Sequence, residues 1–328
     1  MNYTIKDVAR LAGVSPSTVS RVINSSAYVD PDKKNKVLKA IKELNYKPNF
    51  SGKSLKKGNT NIIAVILPDL YNPYYTKLSQ SLEEKLYDED LLMLLAISHN
   101  DTKIERKYLR QFTYGIADGV IIIPAEHKIN KRDINDKFPT VVVNRQTDFF
   151  NYVTLDHEKA AFDSVNYLIE NGHKKIVCYI GDIKNPIYEM RLQGCIKAFN
   201  HHGIPFDENN LIKNVIDVKT AYDVTNSLLD SGTLPTAIFA TMDVLVSGVY
   251  SSIAEHNLSI PEDISVMGFD NNYLTENFIP PLTTYNHPTD LIARHAIELL
   301  RNQMNDDFNK KSYILSGDIV ERNSVLKL

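Results

Sequence analysis

The chain has 328 residues, 43% of them hydrophobic and 23% charged, so it is long enough for two or three domains with buried cores. No run of about 18 apolar residues is present, which excludes a membrane-spanning helix of that length. The N-terminus lacks the apolar centre of a signal peptide, so we expect a cytoplasmic protein. The two cysteines and nine histidines show no metal-ligand spacing, and we predict neither a metal nor another cofactor.

Charge is distributed unevenly along the chain, although the net charge is only −3. Up to Thr60 there are twelve Lys and Arg residues against four Asp and Glu residues, a net charge of +8, and the remaining residues carry −11. A basic head on an acidic body indicates that the head binds a polyanion and the body does not.

Three amphipathic helices are predicted in the head. Thr4 can cap a helix over "IKDVARLA", and Gly13 suits the left-handed residue that ends such a helix. Ser15 can cap the second helix, and Pro16 fits its first turn, where the missing N–H has no cost. With a third helix from about Pro31 to Asn45, the segment predicts a helix-turn-helix.

The second helix has two contrasting faces. Val19, Val22 and Ile23 lie at helical spacing and predict a buried stripe. The opposite face has no acidic residue, and its short polar side chains can approach phosphates and base edges in a groove about 12 Å wide. This outward face consists of Ser17, Ser20, Arg21 and Asn24.

The segments "TIKDVARLAGVSPSTVSRVIN" and "VLKAIKELNYKPN" resemble the DNA-binding head of the lac-repressor/gal-repressor family of bacterial transcription regulators. The resemblance implies that a homodimer binds double-stranded palindromic operator DNA. It implies that Pro16, Ser17 and Arg21 reach base edges, and Arg21 is the best candidate for reading guanine. It also implies phosphate contacts from a further set of residues: Thr4, Ser15, Thr18, Ser20, Asn24 and Tyr46.

A polar, basic segment, "NFSGKSLKKGNTN", joins the head to the first apolar strand. Its composition favours a flexible linker, whereas the family resemblance implies a hinge helix that forms on DNA, with Leu55 as an apolar wedge in the minor groove. We expect a hinge that is disordered without DNA, because Gly52 costs about 1 kcal/mol of helix propensity. The predicted domains are a DNA-binding domain at 1–47, a hinge at 48–60 and a two-lobed domain at 61–328.

The two-lobed domain alternates apolar strands with amphipathic helices. Strands as rich in Val and Ile as "IIAVILP" and "GVIIIPA" are typical of parallel sheets that are buried on both faces. The predicted fold class is α/β: a small all-α helix-turn-helix head, then a two-lobed, doubly wound parallel-sheet domain. Lobe 1 is predicted at about 61–157 and 288–305, and lobe 2 at about 158–287 and 312–328. Segments such as "IPEDISVMGFDN" resemble the family's sensor domain, which is itself similar to periplasmic sugar-binding proteins.

Ligands of open α/β sheets bind outside the carboxyl ends of the strands, so residues there predict an effector site. Carboxylates, an arginine and aromatic rings suit a polyhydroxylated ligand. The resemblance adds Arg191 of "RLQG", and Met242 stands where many relatives carry Asn, so we expect a more apolar pocket there or one that relies on Asp243. The predicted effector residues are Asp69, Asn72, Tyr74, Tyr75, Arg145, Arg191, Asp243 and Asp270.

These features predict a repressor of a sugar-utilisation operon, with its DNA affinity controlled by a sugar or sugar phosphate between the lobes. A purine-like ligand or a partner phosphoprotein is the alternative effector. An α/β enzyme is disfavoured because GxSxG, a Walker loop and GxGxxG after the first strand are all missing, so we predict no catalytic residue. The absence of a leucine heptad after Val325 favours a dimer over a tetramer.

Overall fold

The computed structural model describes residues 3–24, 26–46, 59–125, 134, 137–232 and 234–328. The chain forms two compact units, the head (Met1–Thr60) and the body (Asn61–Leu328). Leu55 and most of the predicted hinge lie outside the described residues. In the described part of the chain, no helix has both the length and the apolar character needed to cross a membrane.

The head contains the three predicted helices, α1 (Ile5–Ala12), α2 (Pro16–Asn24) and α3 (Pro31–Glu43). Gly13 adopts φ of 65° at the end of α1, a left-handed conformation that glycine accepts without strain. The helices share one apolar core, in which Val8, Val19 and Val37 have no exposed surface. The core fixes the orientation of α2, because its buried stripe determines which residues face outward.

The body alternates strands and helices almost throughout. In chain order its elements are β1 (Ile62–Leu67), α4 (Pro73–Asp88), β2 (Leu92–Ile97), α5 (Thr102–Gln111), β3 (Gly119–Ile122), β4 (Thr140–Val143), β5 (Asn151–Leu155), α6 (His157–Glu170), β6 (Ile176–Tyr179), α7 (Pro186–His201), β7 (Leu211–Ile212), α8 (Val218–Asp230), β8 (Ala237–Ala240), α9 (Val246–Glu255), β9 (Ser265–Asp270), β10 (Thr283–Asn286), α10 (Thr289–Met304), β11 (Ser312–Leu315) and β12 (Ile319–Val320). Short 3₁₀ helices occur at Glu208–Asn210 and Asp243–Leu245, and a π-helical turn at Phe112–Ile116 extends α5.

Two six-stranded sheets define the two lobes of the body. The sheet of lobe 1 has the order β11-β5-β4-β3-β1-β2, and all of its strand pairs are parallel. The sheet of lobe 2 has the order β12-β10-β9-β8-β6-β7 and is parallel except for β12, which pairs antiparallel with β10. The predicted fold class, a helix-turn-helix followed by two parallel-sheet α/β lobes, is therefore confirmed.

Helices cover both faces of each sheet, as the apolar strand sequences require. In β1, Ile63 and Val65 pack with α4 and α10, whereas Ala64 and Ile66 pack with α5 on the other face. In lobe 2, α6 and α7 cover one face of the sheet and α8 and α9 cover the other. Because the helices occupy the faces, the ends of the strands are the parts of the sheets that remain available for a site.

One part of the predicted lobe assignment is wrong. We placed residues 312–328 in lobe 2, but β11 pairs in parallel with β5 and completes the sheet of lobe 1. The chain therefore crosses between the lobes after β5, after β10 and between β11 and β12. These three adjacent crossings are the only covalent links between the lobes in the described part of the body, an arrangement that permits hinge closure.

Candidate functional site

The strand ends of both lobes meet at a cleft that brings together six of the eight predicted effector residues. Lobe 1 contributes residues after β1 and β4, and lobe 2 contributes residues after β6 and β8 together with the last residue of β9. The six predicted residues that line the cleft are Asn72, Tyr74, Tyr75, Arg145, Arg191 and Asp270.

The start of α4 positions the aromatic wall of the cleft. The side chain of Asn72 caps this helix by accepting a hydrogen bond of 3.0 Å from the backbone N–H of Tyr74. The next two residues, Tyr74 and Tyr75, pack edge to face with ring centroids 5.3 Å apart. Asp69 does not line the cleft: its carboxylate accepts from the backbone N–H groups of Tyr71 and Asn72, each at 2.9 Å. Asp69 therefore stabilises the turn before α4, and its effector role stays a prediction.

Tyr74 stacks on His287, which lies in the crossing between β10 and α10. Their ring centroids are 4.3 Å apart and their planes are inclined by 22°. Neither ring nitrogen of His287 has a hydrogen-bond partner, and neither does the hydroxyl of Tyr74. Burial lowers the pKa of His287 well below its ordinary value, and the positive charges of Arg191 and Lys77 lower it further, so the imidazole is neutral.

Arg191 is held by partners on several sides. Its Nη1 donates to the backbone oxygen of Thr241, and its Nε lies 3.4 Å from Nδ1 of His157. Its guanidinium carbon lies 3.7 Å from the centroid of the Phe269 ring. The nearest carboxylate is Asp270, at 3.9 Å from Nη2, so the charge of Arg191 is balanced within the protein.

Asp270 is a buried carboxyl group in an unfavourable backbone conformation. Burial raises its pKa to about 7, against the opposing effect of the positive charges of Arg191 and Lys77. Its φ is 113°, a value that costs a non-glycine residue about 1–3 kcal/mol and is found most often at ligand sites. Strain and burial of charge at one residue both point to a binding role for Asp270.

Arg145 differs from Arg191 in having few partners. It is 8% exposed, its Nη1 donates to the backbone oxygen of Asn144 at 2.8 Å, and its Nε has no partner. Burial lowers its pKa from the ordinary value of arginine. None of the described carboxylates forms an ion pair with Arg145, and the positive charge of Arg191 also lowers its pKa.

Asp243 does not line the closed cleft, and its assignment to the effector site stays a prediction. Its carboxyl group accepts hydrogen bonds from Thr284 Oγ1 at 2.7 Å and from the backbone N–H of Asn272 at 2.9 Å, which ties β8 to the loop after β9. The preceding residue, Met242, lines the cleft instead, and the hydroxyl of Tyr188 lies 2.9 Å from its sulfur. The wall at this point is apolar.

Sequence reasoning missed five of the other six lining residues and expected the sixth, Met242, to make the pocket more apolar. Asn144 directly precedes Arg145 at the end of β4, and His287 follows β10, a strand that we did not predict because "TTYN" lacks the Val and Ile content of the others. The segment "NPIY" after β6 resembles "NPYY" after β1, and this internal similarity could have identified three of the six. The missed residues are Asn144, Asn185, Ile187, Tyr188 and His287.

The cleft is closed. The space between the lining residues is about 30 Å³, which holds about two water molecules and is far below the few hundred Å³ of a ligand pocket. The Nζ of Lys77, from α4 in lobe 1, donates to the backbone oxygen of Asn271 in lobe 2 at 2.8 Å and adds a second contact across the cleft. A ligand can therefore enter only after the lobes separate.

The candidate DNA-binding face of the head is formed by the exposed residues of α2. Val19 and Val22 of α2 are buried, while Pro16, Ser17 and Arg21 are exposed. Ser15 caps the helix, accepting from the backbone N–H of Thr18 at 3.2 Å, and its hydroxyl also bonds those of Ser17 and Thr18.

Other residues of the predicted DNA-binding set have additional roles in the head. Both the backbone N–H and the hydroxyl of Thr4 donate to the carboxylate of Asp7, and Tyr46 packs against the helical core. The Nδ2 of Asn24 donates to the backbone oxygen of Ser20.

Comparison with known proteins decides the family. Residues 4–49 match the model of bacterial regulatory proteins of the lacI family, and residues 165–325 match a periplasmic binding protein-like domain. The HTH-type transcriptional repressor PurR of Pasteurella multocida (strain Pm70) is 32% identical over 332 residues, which cover 98% of each chain. The chain belongs to the lacI family of bacterial regulatory proteins. Like its relatives in this family, it is a DNA-binding transcriptional repressor and not an enzyme.

Solved structures of the family share the same fold. The lac repressor dimer bound to operator and the anti-inducer ONPF superposes with a TM-score of 0.85 at 23% identity, covering 99% of this chain and 100% of that one. A lacI-family regulator from Enterococcus faecium with bound ribose superposes with a TM-score of 0.73 at 26% identity, covering 81% of this chain and 99% of that one.

The placement of Asp243 predicts a pH dependence of stability. Burial raises its pKa to about 8, and the negative charge of Asp270 adds to the effect. Because the folded pKa lies above the ordinary 3.8, the folded protein holds an extra proton between these values, and the free energy of unfolding falls as pH rises through that window. The Asp243→Asn variant has an uncharged amide in place of this carboxyl group and takes up no proton there. Its free energy of unfolding should therefore fall less steeply as pH rises.

Urea unfolding of both proteins at pH values from about 5 to 8 measures this slope. An equal slope for the variant would show that Asp243 does not take up the proton.

Proposed function

We propose that the chain is a homodimeric repressor of sugar-utilisation genes, with its affinity for a palindromic operator controlled by a sugar or sugar phosphate that binds between the lobes. Ligand binding and operator binding would then be thermodynamically linked through the relative position of the two lobes.

The observation that carries the ligand class is a set of buried polar atoms without partners around one cleft. Tyr74 Oη, both ring nitrogens of His287 and Arg145 Nε are all buried without a hydrogen-bond partner, and Nδ1 of His287 lies 3.5 Å from Oδ1 of Asp270. Buried polar atoms are nearly always hydrogen-bonded, so these atoms favour a ligand that supplies several donors and acceptors. A sugar hydroxyl both donates and accepts, and the rings of Tyr74 and Tyr188 can cover the C–H face of a pyranose or furanose.

A purine base is the second candidate, because the repressor PurR of Pasteurella multocida is 32% identical over nearly the whole chain. The Tyr74–His287 stack also offers two nearly parallel rings, between which a flat base could bind once the rings separate. The polyhydroxylated ligand remains our first choice, because each of its hydroxyl groups can both donate and accept a hydrogen bond.

Exposed apolar side chains support the homodimer. Leu92 and Leu94 lie on the edge strand β2 and are 65% and 36% exposed, and Tyr114, after α5, is 86% exposed. An exposed apolar edge strand is a liability unless another chain covers it. Two heads related by twofold symmetry would then require an operator of matching symmetry.

Arg21→Ala should weaken binding to the operator by about 1–3 kcal/mol, since it removes the one side chain of the exposed α2 face that can bind guanine bidentately. The operator is first selected from random duplexes with the wild-type protein, and affinities are then measured by fluorescence anisotropy. Arg10→Ala is the matched control, because Arg10 is exposed on α1 and pairs with Asp7. Equal affinities of the wild type and Arg21→Ala for the selected site would contradict the assigned role.

The ligand class can be tested by thermal unfolding in the presence of single compounds. A ligand at about 100 times its Kd adds about 2.7 kcal/mol to the free energy of unfolding. We expect stabilisation by at least one sugar or sugar phosphate, and its loss in Asp270→Asn. Stabilisation by hypoxanthine or guanine alone would establish the purine alternative instead.

A further inference from the structure

We infer that the cleft binds an anionic ligand, a sugar that carries a phosphate ester or a carboxylate, with Arg145 as the residue that pairs with the oxyanion. The inference rests on the proposed function and narrows its ligand from sugars in general to those with a negative charge. The observation that supports it is that the guanidinium group of Arg145 is buried without an ion-pair partner among the described residues.

The charges that line the cleft do not balance. Two guanidinium groups, Arg145 and Arg191, face one carboxyl group, Asp270, and His287 is neutral. Asp270 lies 3.9 Å from Nη2 of Arg191 and 3.5 Å from Nδ1 of His287, and it forms no ion pair with Arg145. Its raised pKa of about 7 reduces its negative charge further near neutral pH. Among the residues that line the cleft, the cationic side chains therefore outnumber the anionic ones.

Arg145 is the unbalanced cation. It is 8% exposed, and none of the described carboxylates forms an ion pair with it; besides burial, the groups that act most strongly on its charge are tyrosines and Arg191. A buried arginine is almost always paired, because removing its charge from water has a large cost that only an opposite charge offsets. Its only assigned bond is to a backbone oxygen, from Nη1, which leaves Nε without an acceptor.

The geometry of a guanidinium specifies the partner. Its N–H groups form a planar fork that matches two oxygens of a phosphate or carboxylate, whereas a neutral hydroxyl uses only one of them. The tyrosines around Arg145 are neutral, and Arg191 has the same charge, so neither can neutralise Arg145. An oxyanion between Arg145 and the polar atoms of the cleft would satisfy both the charge and the open Nε.

Matched pairs of compounds test the inference on the full-length protein. The probes are ribose with ribose 5-phosphate, glucose with glucose 6-phosphate and gluconate, and inorganic phosphate alone at constant ionic strength. We expect at least one charged member to bind at least about tenfold more tightly than its neutral partner by calorimetry, which is about 1.4 kcal/mol. We also expect inorganic phosphate to raise the Tm. The phosphate and carboxylate probes distinguish the two kinds of oxyanion.

Substitution of Arg145 separates this inference from the proposed function. Arg145→Met should abolish the effect of phosphate and remove the preference for the charged sugar, and it should raise the Tm of the ligand-free protein by about 2–4 °C because a buried unpaired charge is lost. Arg145→Lys keeps the charge and should retain part of the response. Arg294→Met, at an exposed ion pair with Asp290, is the matched control and should respond like the wild type.

The outcomes are distinct. If phosphate does not raise the Tm of the wild type, or raises it equally in Arg145→Met, the inference is overturned. If neutral sugars bind as tightly as charged ones, the inference fails while the proposed function stands. If no sugar, sugar phosphate or sugar acid binds, the proposed function itself fails.

Discussion

Burial of charge where the two lobes meet is the constraint on which the site depends. Arg145, Arg191 and Asp270 are each no more than 8% exposed, although isolated charges are very costly to remove from water. The closed lobes exclude solvent from these groups and leave about 30 Å³ between them. A ligand that completes the hydrogen bonds and the charge balance of these groups would stabilise the closed lobes relative to the open ones.

The contacts across the cleft show how such a change can be transmitted. Tyr74 and Lys77 lie one helical turn apart on α4 of lobe 1, and they contact His287 and the backbone of Asn271, respectively. Separation of the lobes to admit a ligand must break the contact between Lys77 and Asn271, whereas His287 lies in a crossing between the lobes. Because three short crossings connect the lobes, a rotation that opens the cleft can leave each sheet intact. The closed and open forms are therefore suitable as the two states of an allosteric repressor.

Much of the fold could be predicted from the sequence because its signals are local. The Val- and Ile-rich strands, the helix caps and the acid-free face of α2 are each determined within about ten residues. The site was predicted in part, since the rule that ligands bind at strand ends found Asn72, Arg145 and Asp270. The rule could not tell which way a side chain at a strand end points, and for that reason Asp69 and Asp243 were assigned to the cleft although they bond to nearby loops.

Other features depend on contacts that are distant in sequence. The pairing of β11 with β5 joins residues about 160 positions apart and decides in which lobe the strand lies. The short polar strand β10, which carries His287 into the cleft, lacks an apolar signal. The missing partner of Arg145 can be recognised only when every neighbour is known, and the sequence alone shows just an arginine after a strand.

The most direct test of the account is the linkage between the cleft and the operator. Operator affinity is measured by fluorescence anisotropy with and without the sugar or sugar phosphate that binds most tightly, and ligand affinity is measured with and without operator. The account predicts that each ligand changes the affinity for the other by the same factor, about 5- to 150-fold. A ligand that binds in the cleft and leaves operator affinity unchanged would contradict it.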